Sequence, residues 1–324
     1  MAKKQGGKIM SKIAFMFPGQ GAQKVGMMKE LYDNYAVVKD VFKEADEALD
    51  FSMTDLIFKG PEDQLRLTYN TQPAILTCSV AALRVLEENG VKPAVAAGHS
   101  LGEYSALVAA GAMSFADAVR TVRQRGRFMQ EAVPVGQGAM AAIIALDTEK
   151  IKAICADVAA KTGQCVQAVN FNCPGQVVIA GHTEAVQKAA DAMKEAGAKR
   201  AIMLAVSAPF HSALMQPAAD RLAEVLDKID IKDAAIPVYA NVTAKPETKG
   251  DEIRKQLVKQ AASPVLWEDT VRNMMADGVD TFVEVGPGKT LCGFIRKVDR
   301  SYTALNVEDM DSLEKSLAKL KEVR

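Results

Sequence analysis

The sequence predicts an α/β protein: a large α/β-hydrolase-like subdomain with a parallel sheet, carrying an inserted, smaller ferredoxin-like (βαββαβ) subdomain. Three observations carry that prediction. Short apolar runs alternate with helix-length stretches through the first third of the chain, the order that builds parallel sheets. The pentapeptide GHSLG (98–102) follows one such run and precedes a helix, the setting of a sharp strand-to-helix turn. Between residues 139 and 206 the rhythm changes to strand, helix, strand, strand, helix, strand.

In order, KIAFMF (12–17) reads as a buried strand, residues 24–50 as helices, and 73–89 as an apolar helix stopped by Gly90. A short strand near Val95 leads into GHSLG, a helix to about Ala110 and a second helix from Phe115 to about Glu131. After Pro134 and the flexible VGQG (135–138) come a strand at 139–146, a helix at 148–160, strands at 166–171 and 177–181, a helix at 183–196 and a strand at 198–206. The large lobe then resumes with a helix at 212–229, the strand IPVYAN (236–241), helices within 250–277, a strand at 280–286 and a helix from Thr290. The expected division is therefore 10–134 with 207–324 for the large subdomain and 135–206 for the small one, with boundaries in glycine- and proline-containing turns. Residues 1–9, basic and glycine-rich, are expected to be a disordered extension.

Composition narrows the class. The 324 residues are 49% hydrophobic and 25% charged, the balance of an ordinary globular protein. Lys plus Arg equals Asp plus Glu at 40 each, so no global field favours nucleic acid or membrane, and a charged partner must be met by a local patch. The five cysteines form no C-x-x-C pair, which fits a reducing compartment. No apolar run reaches membrane-spanning length and the N-terminus lacks the order of a secretory signal, so a cytoplasmic protein is expected, acting as a monomer.

GHSLG fits the nucleophile elbow, whose flanking glycines let a strained turn hold a serine hydroxyl, here Ser100, at the sheet edge. The alternative is a structural serine in a βα turn. The elbow would place the Leu101 amide at a helix N-terminus, where a free N–H can meet a developing oxyanion. A serine needs a base, and the chain has three histidines, His99, His182 and His211. His99 abuts the serine on a tight turn and supports the elbow; His182 reads as a cap or turn residue of the inserted lobe. His211, at the junction after the last strand of the insert, is the best base, with no acid in the usual hydrolase order to orient it. FPGQGAQ (17–23) follows the first strand, so Gln20 sits at the carboxyl edge where open sheets place their sites. Of four arginines in VRTVRQRGRFMQ, Arg120, Arg123 and Arg127 are expected to face water and Arg125 alone to face inward, close to Val122 on the helical wheel; a buried guanidinium suits a carboxylate, whether of a substrate or of an internal salt bridge. Dinucleotide and Walker patterns fail at their required glycines.

Taken together and in order, FPGQGAQ, GHSLGEYSAL, RGRFMQEAVP, NFNCPGQVVIAG, PFHS and EVGPGKTL resemble the malonyl-CoA:acyl carrier protein transacylases of bacterial type II fatty-acid synthesis, from about Lys12 to about Asn306. The resemblance implies Ser100 as nucleophile, His211 as base, backbone amides of Gln20 and Leu101 as oxyanion hole, and Arg125 holding the malonyl carboxylate. It implies that main-chain carbonyls of the loop Ser263-Pro264-Val265-Leu266-Trp267 orient the histidine, although two side chains there depart from the family's N-P-V-Q-W. Phe210 would leave little room for a 2-methyl group; Met129 lines the acyl pocket or is plain core; Asn172 faces the cleft or serves its turn. The substrates implied are malonyl-CoA and phosphopantetheinylated acyl carrier protein, linked by a malonyl-serine intermediate in a ping-pong reaction, with no bound cofactor or metal. Because such carriers are acidic, Lys289, Arg296, Lys297 and Arg300 are a candidate docking patch, against the alternative of an ordinary solvated helix face. A serine hydrolase is the rival class, since it shares elbow and base.

Overall fold

Five consecutive apolar residues, Ile13–Phe17, are buried at every position, which is possible only for a strand covered on both faces. The computed structural model describes residues 11–206 and 208–323; the expectation for residues 1–9 lies outside them. Among the described residues, ten strands form two sheets: β1 (Ile13–Phe17), β2 (Val95–Gly98), β3 (Gly138–Ile144), β4 (Val166–Cys173), β5 (Gln176–His182), β6 (Arg200–Met203), β7 (Val238–Tyr239), β8 (Pro246–Glu247), β9 (Thr281–Val285) and β10 (Thr303–Val307).

The first sheet runs β10-β9-β1-β2-β7-β8. All its pairings are parallel except β7 with β8. Phe17 pairs with Gly98, so the FPGQG turn and the GHSLG turn leave the sheet side by side at its carboxyl edge. Glycine makes that proximity possible: a Cβ on Gly102 would stand 2.2 Å from the Phe17 carbonyl oxygen. The helix Gly102–Ala109 can thereby start directly over the end of β1.

Helix Thr68–Glu88 is buried almost throughout, and begins five residues before the proline at which the sequence reading starts it. Pro73 lies inside the helix rather than in its first turn. The extra turn is held by side chains: Asn70 Nδ2 donates to the Gln64 carbonyl at 2.9 Å and Thr71 Oγ1 to that of Leu65 at 2.6 Å. Helix Phe115–Glu131, N-capped by Ser114, meets this turn at Gly126, whose Cβ would stand 2.7 Å from the Thr68 carbonyl oxygen. That contact brings Arg125 against Gln72.

The second sheet, order β4-β5-β3-β6, is antiparallel and arises from the βαββαβ order expected. Its strands alternate as a two-faced sheet must. Ala139, Ala141 and Ile143 pack with the helices Thr148–Thr162 and Thr183–Glu195, while Met140 and Ala142 face the first lobe with Met129 and Phe210. The lobes are also stitched by backbone: Val265 N–H donates to Val169 O at 2.8 Å, and Phe171 N–H to Val265 O at 3.0 Å.

Several elements differ from the sequence reading. The strand at 198–206 shrinks to β6, an edge strand with Ile202 and Met203 half exposed. The helix at 212–229 opens as a 3-10 turn, Ala213–Met215, before Gln216–Leu226. IPVYAN pairs only at Val238–Tyr239. Helices Met53–Lys59, Glu62–Leu65 and Met310–Val323 and strands β8 and β10 were not anticipated. No helix among the described residues is long and apolar enough to cross a membrane.

Candidate active site

Ser100 sits on the elbow with φ of 54°, in the left-handed region that side chains avoid. His211 has φ of 63°, and such outliers gather where surrounding contacts over-determine the backbone. Here they do. Ser100 N–H donates to Asn241 Oδ1 at 2.7 Å, and its carbonyl accepts from Gln260 Nε2 at 2.9 Å. Asn241 Nδ2 in turn donates to Gly98 O at 2.7 Å, closing the turn on itself.

The two side chains meet: Ser100 Oγ lies 2.7 Å from His211 Nε2. His211 Nδ1 lies 2.9 Å from the Gln260 carbonyl oxygen. A carbonyl only accepts, so Nδ1 carries the proton and Nε2 presents its lone pair to the serine hydroxyl. Burial, and then the nearby Arg125 charge, pull His211 down to about 3, against hydrogen bonding to the backbone of Gln260 and Ser263. The imidazole is therefore neutral at neutral pH and free to take a proton. The principal acceptor is Gln260, three residues before the loop the resemblance implied; that loop bridges the lobes, and its Ser263 main chain only assists.

Arg125 is 1% exposed. Its Nη1 donates to Gln72 Oε1 at 2.8 Å, and Nη2 to Gln260 Oε1 at 2.9 Å and to Ser100 Oγ at 3.1 Å. No carboxylate lies within 4.0 Å of it among the described residues, so the internal salt bridge weighed above is absent. A buried guanidinium held only by neutral oxygens is costly unless it meets an anion, and its planar fork suits a carboxylate. Arg120 and Arg127 are exposed, as the helical wheel indicated, whereas Arg123, read as facing water, is half-buried over the Phe51 ring.

Gln20 and Leu101 flank the hydroxyl at the mouths of their adjoining turns, and no hydrogen bond among the described residues occupies either backbone N–H. A cavity of about 110 Å³ is lined by Gln20, Ser100, Arg125, Met129, Phe210 and His211, room for a short acyl group only. It adjoins an outer cleft of about 270 Å³ bordered by Gly19, His99, Asn172 and Phe294. Asn172 belongs to that outer cleft, where its Oδ1 lies 2.9 Å from His99 Nε2. His99 thus turns away from Ser100. His182 caps the helix Thr183–Glu195 and accepts from Cys165 N–H at 3.0 Å, remote from the site. Lys289, Arg296 and Lys297 lie on or beside the helix Thr290–Val298, which borders the outer cleft through Phe294. Arg296 and Lys297 contact Ala304 O and Gln176 Oε1.

Sequence reasoning missed four residues that build the site: Gln72, Glu103, Asn241 and Gln260. Glu103 directly follows the elbow motif and was readable there; the other three are lone amides on remote elements, with no local pattern to mark them. Burial pushes the Glu103 carboxyl up to about 7, against hydrogen bonds from Asn241 N–H and Gln260 and the Arg125 charge. Among the described residues no cluster of three or more His, Cys, Asp or Glu is placed to hold a metal.

A neutral imidazole aimed at a strained hydroxyl, with two free amides beside it, is the equipment of serine-dependent acyl chemistry, shared by hydrolases and acyltransferases. The model of the acyl transferase domain family matches residues 14–317. A malonyl CoA-acyl carrier protein transacylase of Bacillus subtilis is 53% identical over 313 residues, 97% of this chain and 98% of its own. An acyl carrier protein S-malonyltransferase from Vibrio cholerae superposes with a TM-score of 0.92 at 49% identity, covering 94% of this chain and 100% of that one. A malonyl-transacylase solved in complex with a type II PKS acyl-carrier protein superposes at 0.93, also at 49% identity, over 95% and 100% of the two chains. The chain belongs to the malonyl-CoA:acyl carrier protein transacylase family and is an enzyme of that class.

Proposed function

We propose that Ser100 carries a malonyl group from coenzyme A to the phosphopantetheine thiol of acyl carrier protein, with His211 as base and Arg125 as the clamp on the free carboxylate. The observation that carries this reading is the convergence of Ser100 Oγ, His211 Nε2 and Arg125 Nη2 within 3.1 Å contacts around one hydroxyl. His211 takes the Ser100 proton as Oγ attacks the thioester carbonyl. The oxyanion is met by the N–H groups of Gln20 and Leu101, and its collapse expels the coenzyme A thiolate, which takes the proton back from the imidazolium. The carrier thiol then gives its proton to His211 and attacks the malonyl-serine ester; collapse breaks the ester C–O bond, and Ser100 Oγ takes the proton back from the imidazolium, restoring the hydroxyl and the neutral base. Both thioesters are of similar energy, so the reaction runs in either direction.

Phe210 and Met129 bound the acyl cavity and favour an unbranched malonyl group, and Asn172 sits where the pantetheine arm would pass. The basic helix Thr290–Val298 at the outer cleft supports Lys289, Arg296 and Lys297 as the meeting place for an acidic carrier. The confinement of the second sheet to Gly138–Met203 supports the division into a 135–206 lobe inserted between 10–134 and 207–324. A monomeric, cytoplasmic enzyme without resident cofactor completes the proposal.

Intact mass spectrometry after mixing with malonyl-, methylmalonyl- or acetyl-CoA tests it, with Ser100→Ala as control. The expected result is a malonyl adduct on the native chain, absent from the variant and discharged by the holo-carrier. Rapid discharge by water alone would favour the hydrolase.

A further inference from the structure

The Glu103 side chain bonds to neither Ser100 nor Arg125, although its backbone N–H donates to the Ser100 carbonyl at 3.1 Å, yet both residues depend on what that side chain holds. It lies in the first turn of the helix Gly102–Ala109 and is 3% exposed. A carboxylate there commonly caps its own helix. Glu103 does something else: Oε2 accepts from Asn241 N–H at 2.9 Å and from Gln260 Nε2 at 2.8 Å, both on other elements. Those two residues clamp the backbone of Ser100, one at its N–H and one at its carbonyl.

An amide has two ends of opposite character, and packing alone distinguishes them poorly. Glu103 Oε2 does so by chemistry, because an oxygen already accepting from the Asn241 N–H can face only the NH2 end of Gln260. Oε1 must then face Arg125, where it accepts from Nη2. Reversed, the amide would present N–H to a guanidinium, two donors against each other in a dry site, and would withdraw its bond from the Ser100 carbonyl.

We infer that Glu103 is a positioning residue for acyl selectivity: by fixing the Gln260 amide and Asn241 through one oxygen, it sets where the Arg125 guanidinium stands relative to Ser100. The inference rests on the reading that Arg125 receives the malonyl carboxylate. Its position, more than its charge, is what Glu103 supplies.

Two conservative variants separate position from charge. Glu103→Asp keeps the charge and draws the carboxylate back by one methylene; Glu103→Gln removes the charge and keeps an oxygen at full reach. The readout is the ratio of kcat/KM for malonyl-CoA to that for acetyl-CoA, which a merely structural contact would leave alone. Glu103→Asp is expected to lower the ratio by about tenfold or more, in line with the cost of misplacing a positioning group by an ångström, and Glu103→Gln by less than about threefold. Equal ratios in all three proteins, or a larger loss in Glu103→Gln than in Glu103→Asp, would overturn the inference. Failure of the native chain to take up malonyl at all would instead overturn the functional reading beneath it.

Discussion

Replacing Arg125 by Met should separate selectivity from folding. The guanidinium makes three hydrogen bonds to neutral oxygens and no ion pair among the described residues. A malonyl carboxylate would supply two charge-assisted bonds, each about 1.5–3 kcal/mol, or roughly 3–6 kcal/mol together. At about 1.4 kcal/mol per decade, malonyl transfer in Arg125→Met should fall by roughly 10²- to 10⁴-fold in kcat/KM. Acetyl transfer should hold or rise, because the arginine charge that disfavours the His211 imidazolium is gone. Stability should respond differently. Gln72 and Gln260 each lose a donor, at about 1–3 kcal/mol apiece, but a buried cation costing several kcal/mol disappears with it. The melting temperature should therefore hold or rise, not drop. Stopped-quench acylation with both thioesters, alongside thermal unfolding, measures all three quantities. A variant that melts normally and keeps its malonyl-over-acetyl ratio would refute the argument.

Two further outcomes follow from the backbone and the base. Ser100→Gly should be more stable than Ser100→Ala by about 0.5–1 kcal/mol, since both lose the hydroxyl but only glycine relieves the strain at φ of 54°, less its greater entropy in the unfolded chain. Side-by-side thermal or urea unfolding would show this; an alanine variant that equals or exceeds the glycine one would count against elbow strain. For pH, a folded-state value lowered to about 3 means His211 stays unprotonated, and the base competent, until the pH falls toward that value. In a Glu103→Gln background, where the carboxyl near 7 no longer titrates, kcat/KM for acylation should be flat from pH 8 to about 5. An inflection near the ordinary histidine value of about 6.5 would contradict the assigned burial.

The parts of this protein legible in the sequence are those written locally. The elbow carries its own glycines, β1 its unbroken apolar run, and Arg125 its inward place on a helix of 3.6-residue period; all stand where the sequence put them. The small lobe was readable because strand and helix periods alternate cleanly through it. What escaped notice was either weakly patterned or non-local. β10, TALNV, is half-buried along most of its length and mixes polar with apolar residues, so it presents neither a run nor an alternation. The early start of Thr68–Glu88 was hidden because Pro73 mimics a first-turn proline. The resemblance put the histidine's acceptor among main-chain carbonyls of the loop from Ser263, but it missed Gln260, three residues earlier, since a carbonyl has no side chain to mark it.

The stretch from Gln260 to Val265 has two attachments. One end gives its carbonyl to the imidazole; the other forms a rung with β4 of the smaller sheet. The aim of the imidazole is thus tethered to the opposite wall of the cleft by a handful of residues. A shift of the smaller lobe would therefore reach the imidazole's acceptor through only the few residues between Val265 and Gln260.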